Sequence, residues 1–239
     1  MKRTLFRSAA AELVATASLV TSVASFALLH LLMSDVVDPV NTPVSMYAFS
    51  PPGVVLFPLG TVSLALACAI LAVRGVGLPR QSFVRFLLGA TAVMLVFATL
   101  FRSGTPESGL TVAAQIHRYA AGAAFVLLTA VAALCTARMS ETGAAPVIRR
   151  ATRWATVLAS LTFATTAINT FLPGVADGGD WRGIPQRVLL VVLSALVGVL
   201  IANSRRERAP RPAPSLQRAR AGMAPQGEAT APVLVASKP

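Results

Sequence analysis

Six long apolar stretches, each ended by a polar turn, leave this chain few ways to fold. They run at about residues 9–33, 53–73, 86–101, 117–137, 155–172 and 185–203. At 1.5 Å rise per helical residue, about 20 residues cross the roughly 30 Å hydrocarbon core of a bilayer, so runs of this length read as membrane spans. Within hydrocarbon each backbone polar group must find its partner inside the protein, which selects helices here. Composition agrees: 55% of the 239 residues are hydrophobic and only 13% are charged, too apolar a balance for an ordinary soluble domain. The predicted fold is therefore all-α, a polytopic membrane protein built as a six-transmembrane-helix bundle. Its membrane domain covers 9–203, between a short N-terminal segment, 1–8, and a basic tail, 204–239.

The first stretch follows Lys2, Arg3 and Arg7, as a secretory leader would. Its apolar run is too long for the core of a cleaved leader and long enough to span. The net charge of +12 raises nucleic acid as a partner, but the basic residues avoid the apolar runs and gather in alternate turns. That is the pattern that orients membrane proteins, and nucleic-acid binding is set aside. Seventeen Lys and Arg residues fall in the N-terminus, the second-to-third turn, the fourth-to-fifth turn and the tail, against four, Arg102, Arg118, Arg182 and Arg187, on the opposite side. Both termini are accordingly expected in the cytoplasm and the protein in the plasma membrane. Cys68 and Cys135 each lie inside an apolar run and read as small core residues. The tail is rich in arginine, proline and alanine, offers little to bury, and is expected to be disordered.

The groups with chemistry gather at one side of the predicted bundle. His30 ends the first span. Asp35 and Asp38 lie in the loop from Ser34 to Pro52, which holds four prolines and no lysine or arginine. Val44, Met46, Tyr47 and Phe49 in that loop suit either a headgroup-level aromatic anchor or a merely irregular loop. Arg102 follows the third span, His117 and Arg118 open the fourth, Asp177 and Arg182 precede the sixth, and Gln186 and Arg187 open it. An arginine at a helix centre costs about 2.5 to 3.5 kcal/mol on insertion scales, so Arg118 and Arg187 should snorkel outward or pair, with Asp38 and Asp177 as candidate partners. Two readings stand. These side chains are interfacial anchors and turn-fixing pairs, or His30, Asp38, Arg102, His117, Arg118, Asp177, Gln186 and Arg187 form a pocket for an anionic or polar headgroup. Serines 18, 22 and 25 and the stripe Thr162, Thr166, Asn169 each occupy one helical face and should look into the bundle. Ser194, Gly198 and Ala202 recur every four residues, as at close helix contacts.

No catalytic constellation, metal set or cofactor is assigned. The two cysteines lie roughly 20 to 30 Å from the histidines by helical rise, which separates them as zinc ligands. His30, His117 and an aspartate lack any metal-binding spacing, and no phosphate-loop, nucleophile-elbow or dinucleotide fingerprint occurs in a fitting context. Glu12, near the inner end of the first span, suits either ion coupling or simple snorkelling.

At these residues the chain resembles a known family. The His30 helix end with its loop Asp38-Pro39-Val40-Asn41-Thr42-Pro43-Val44-Ser45, the entry Ile116-His117-Arg118 and the entry Gly183-Ile184-Pro185-Gln186-Arg187 are similar to the six-span bacterial membrane family called domain of unknown function 998. The resemblance covers about residues 10 to 203. It implies a six-helix integral membrane protein, directs attention to His30, His117 and Arg187, and supplies no activity. Three functions fit, in descending order. The first is a non-enzymatic protein binding a membrane lipid headgroup or a partner at its outer face, the second a small transporter, the third an intramembrane lipid-modifying enzyme with His117 as general base.

Overall fold

The computed structural model describes residues 2–104, 111–139, 141, 146–175 and 181–208. These residues form six long helices and no strand: α1 (Lys2–Met33), α2 (Gly53–Arg74), α3 (Ser82–Leu100), α4 (Val112–Met139), α5 (Pro146–Phe171) and α6 (Gly183–Arg208). A short 3₁₀ helix, Val44–Phe49, interrupts the α1–α2 loop, and another, Pro173–Val175, follows α5. Five of the long helices, all but α5, are long and apolar enough to cross a membrane. The protein is a helical, multi-pass membrane bundle.

The outward faces explain the composition. Leu13, Val20, Leu31, Val73, Phe86 and Leu100 are all at least 60% exposed, as suits side chains that meet lipid tails. The inner core draws Leu64, Cys68 and Leu71 from α2, Leu88 from α3, Leu128, Val131 and Cys135 from α4, and Leu189, Leu193 and Leu200 from α6. Both cysteines are free and fully buried.

Small residues set the closest approaches. Ser18, Ser22 and Ser25 of α1 are all buried, and a Cβ added at Gly60 of α2 would stand 3.2 Å from the Ser25 Cβ. Gly198 of α6 meets Leu19 of α1 in the same way, at 3.3 Å. Ser194 beside it is buried but Ala202 is exposed, so the small-residue stripe of α6 does not continue inward to that position.

α5 is less apolar because six threonines, Ser160 and Asn169 dilute it. Much of that polarity is already satisfied. Thr156, Ser160, Thr162, Thr165 and Thr166 each donate to the carbonyl four residues back, at 2.7 to 2.9 Å. A hydroxyl bonded to its own helix costs far less in an apolar setting than a free one. Thr166 and Asn169 face inward and are buried.

At the arginine-rich end, side chains tie the turns together. Asn203 Nδ2 donates to the Val76 and Gly77 carbonyls, Arg138 to the Pro79 carbonyl, and Arg85 Nε to the Ala72 carbonyl. Glu12 pairs with Arg74 at 3.5 Å and with Arg205 at 3.9 Å. These contacts carry α6 as a helix to Arg208, past residue 203 where the apolar run ends.

Candidate functional site

At the opposite end the α1–α2 loop is pinned to the start of α6. The Val40 carbonyl accepts from the Gly183 N–H at 2.9 Å and from the Ile184 N–H at 3.3 Å, which caps two of the helix's first N–H groups. Trp181 N–H donates to Asn41 Oδ1, and Val44 N–H to Gln186 Oε1. Gly183 is required by this closeness: a Cβ there would lie 2.3 Å from the Pro39 carbonyl oxygen. The 3₁₀ helix then plugs the bundle. Its Tyr47 is fully buried with Val44 among Phe26, Leu29 and Met33, so this segment is a packed wall rather than a headgroup-level anchor. Gly53 admits it, since a Cβ there would stand 1.8 Å from the Tyr47 carbonyl oxygen.

Arg187 latches this loop. Its Nε donates to His30 Nε2 at 2.7 Å, one terminal nitrogen to the Thr42 carbonyl at 2.8 Å and the other to the Tyr47 hydroxyl at 3.3 Å, with the guanidinium 5.6 Å above the Tyr47 ring. His30 Nδ1 donates to the Phe26 carbonyl at 2.7 Å, which leaves Nε2 as the acceptor Arg187 needs. Arg187 therefore satisfies itself on an imidazole, a carbonyl and a phenol, with no carboxylate among its hydrogen-bond partners in the described residues. Asp38 is spent locally, accepting from Val40 N–H and Asn41 Nδ2 at 2.8 Å each. Those bonds, the Val40 N–H foremost, hold its carboxyl below the usual range.

A cavity of about 470 Å³ lies beside the latch, between the loop and α4, α5 and α6. Asn41, Thr42 and Ser45 line it from the loop, His117 and Arg118 from α4, Thr166 and Phe171 from α5, and Gln186 with the preceding Arg182 from the α6 entry. Among the described residues no carboxylate lines it. Arg118 lies 5.5 Å above the Phe171 ring, its one recorded contact among the described residues, while Tyr119 stacks on the same ring. His117 is buried, and its Nδ1 donates to the Ala98 and Phe101 carbonyls at the end of α3, at 2.7 and 2.9 Å. Two smaller cavities border this one through His117. One, of about 60 Å³, is walled largely by apolar side chains such as Leu64, Leu128 and Leu193. The other, of about 50 Å³, reaches Arg102, whose side chain is otherwise exposed.

The sequence-derived set thus divides. His117, Arg118 and Gln186 share the large cavity; His30 and Arg187 bond each other in the adjoining latch; Arg102 lies at the small side crevice; and Asp38 serves the loop. Asp177 lies outside the described residues. Among those residues no three His, Cys, Asp or Glu side chains cluster closely enough to hold a metal ion. Tyr47, Thr42 and Phe171 join the site without a sequence signal of their own, although the inward Thr166 stripe points to the α5 wall.

Residues 16–203, from the middle of α1 to the last turns of α6, match the family described as "Protein of unknown function (DUF998)". The chain belongs to the DUF998 family. The match takes in the latch, the loop and every described wall of the cavity. No curated protein and no solved structure matches the chain. A DUF998 description carries no activity, so the functional reading rests on the residues themselves.

Proposed function

We propose that this DUF998 protein is a non-enzymatic lipid-binding membrane protein, and that the cavity over α4, α5 and α6 receives the anionic headgroup of a membrane lipid. The observation that carries the reading is the Arg118 guanidinium, which lines the cavity and lies over the Phe171 ring with no carboxylate bonded to it among the described residues. A cation lining a partly desolvated site gains most from an anion able to accept several N–H bonds, as a phosphate does. The volume falls in the range of ligand sites, about 300 to 1,000 Å³. The apolar walls of the neighbouring 60 Å³ crevice favour this reading over polar transport, since a permeating ion or polar solute would need donors and acceptors continuing inward.

In the membrane, α5 completes a six-span bundle with both termini cytoplasmic, and the cavity faces the outer side of the plasma membrane. Supporting this are the seventeen basic residues on the arginine-rich side against four on the loop side. The purified protein, stripped of lipid and titrated by native mass spectrometry, should bind phosphatidylglycerol in preference to phosphatidylcholine. Arg118→Gln should remove that preference. Equal binding of both lipids, or a preference that survives Arg118→Gln, would overturn the assignment.

A further inference from the structure

His117 has a second ring nitrogen with no hydrogen-bond partner among the described residues. With Nδ1–H shared between the Ala98 and Phe101 carbonyls, the neutral ring carries its lone pair on Nε2. Nothing among the described residues donates to Nε2. The residue is 93% buried, being 7% exposed, and borders all three cavities. A desolvated acceptor facing such a space calls for a donor from a ligand.

The neighbouring groups supply the opposite chemistry. Gln186 Oε1 is occupied by the Val44 N–H, which leaves its amide hydrogens as donors, and Arg118 is a cation. The cavity thus offers donors and positive charge to an anion, and one buried ring acceptor to a donor. A ligand ammonium would satisfy Nε2 but would enter the field of Arg118. A neutral hydroxyl satisfies the acceptor without that repulsion.

We propose that the site selects phosphodiester headgroups bearing a hydroxyl, of the phosphoglycerol or phospho-polyol class, with the phosphate toward Arg118 and the hydroxyl donating to His117 Nε2. The inference rests on the anionic-headgroup reading and adds the second recognition point. It is tested with the full-length protein in detergent by native mass spectrometry. The probes are phosphatidylglycerol, phosphatidylethanol of the same chains and charge but without the hydroxyl, and chain-free glycerol phosphate.

Wild-type protein should bind phosphatidylglycerol about tenfold more tightly than phosphatidylethanol, the discrimination expected when a buried acceptor is left unpaired. His117→Leu should bind the two alike. That substitution also removes the link to the α3 carbonyls, so the wild-type lipid pair decides on its own. Equal wild-type affinities, with both lipids still lost in Arg118→Gln, would overturn the hydroxyl contact and leave the anionic site standing. Binding of neither lipid would overturn both. A preference that persists in His117→Leu would take the hydroxyl away from His117, and glycerol phosphate binding as tightly as the lipid would reassign the site to a soluble ligand.

Discussion

Arg118 and Arg187 look alike in the sequence, each an arginine just inside a span, yet the structure gives them opposite dependence. Replacing Arg187 with Ala removes donations to His30 Nε2, the Thr42 carbonyl and the Tyr47 hydroxyl, and the contact over the Tyr47 ring. Hydrogen bonds from a charged donor contribute about 1.5 to 3 kcal/mol each, but these share one side chain and are only part-buried, so the total is about 3 kcal/mol. For a chain of this size that lowers the melting temperature by roughly 6 to 12 °C. Arg187→Lys should fall between, because an ammonium cannot reproduce the planar fork. Arg118→Ala forfeits only its place over Phe171, about 0.5 kcal/mol, and should shift melting by less than about 2 °C. The assay is thermal unfolding in one detergent, followed by the loss of the monodisperse peak on size exclusion. A fall for Arg187→Ala no larger than that for Arg118→Ala would refute the latch.

Gly53→Ala and Gly183→Ala should each destabilise by about 1 to 3 kcal/mol, read as poor yield of folded protein, because their Cβ atoms would overlap the Tyr47 and Pro39 carbonyl oxygens. Asn203→Ala should lower the melting temperature by leaving the Val76 and Gly77 carbonyls unpaired, whereas truncation after Arg211 should leave it nearly unchanged, the removed residues offering few apolar side chains. The Asp38 carboxyl is held below its ordinary value of 3.8, so its contribution to the loop is complete above about that pH and fades as the pH falls through the lowered value. In a Trp154→Phe protein the Trp181 emission should move only as the pH falls below about 3.8; a change near neutral pH would contradict the assignment. Single cysteines at Thr42 and Gly178, in a background lacking Cys68 and Cys135, should react with an impermeant thiol reagent in intact cells, and labelling at Thr142 instead would reverse the orientation.

Helix number was legible because a bilayer imposes length, and length can be read directly from apolar runs. Helix ends were less so. α4 begins at Val112, α5 at Pro146, and α6 continues to Arg208, since polar turns extend a helix without lengthening its apolar stretch. The side chains that face one another were the least legible. Of the two carboxylates expected near Arg187, Asp177 lies outside the described residues, and Asp38 bonds Val40 and Asn41 and meets the arginine through its field alone, while the guanidinium bonds His30, 157 residues earlier in the chain. Tyr47 reads in isolation as an interfacial aromatic. Its burial follows from Gly53 making room and from α1 and α6 closing around it, contacts that no local pattern encodes. His117 was conspicuous as an imidazole at a helix entrance, while its tautomer depends on carbonyls at the end of α3.

The measurement closest to the central claim is an experimental structure of the full-length protein in nanodiscs of phosphatidylglycerol. A headgroup phosphate should lie in the cavity beside α4, accepting from the Arg118 guanidinium, with Arg187 still bonded to His30. An Arg118 side chain turned out toward bulk lipid, over a cavity holding only water or an acyl chain, would contradict it.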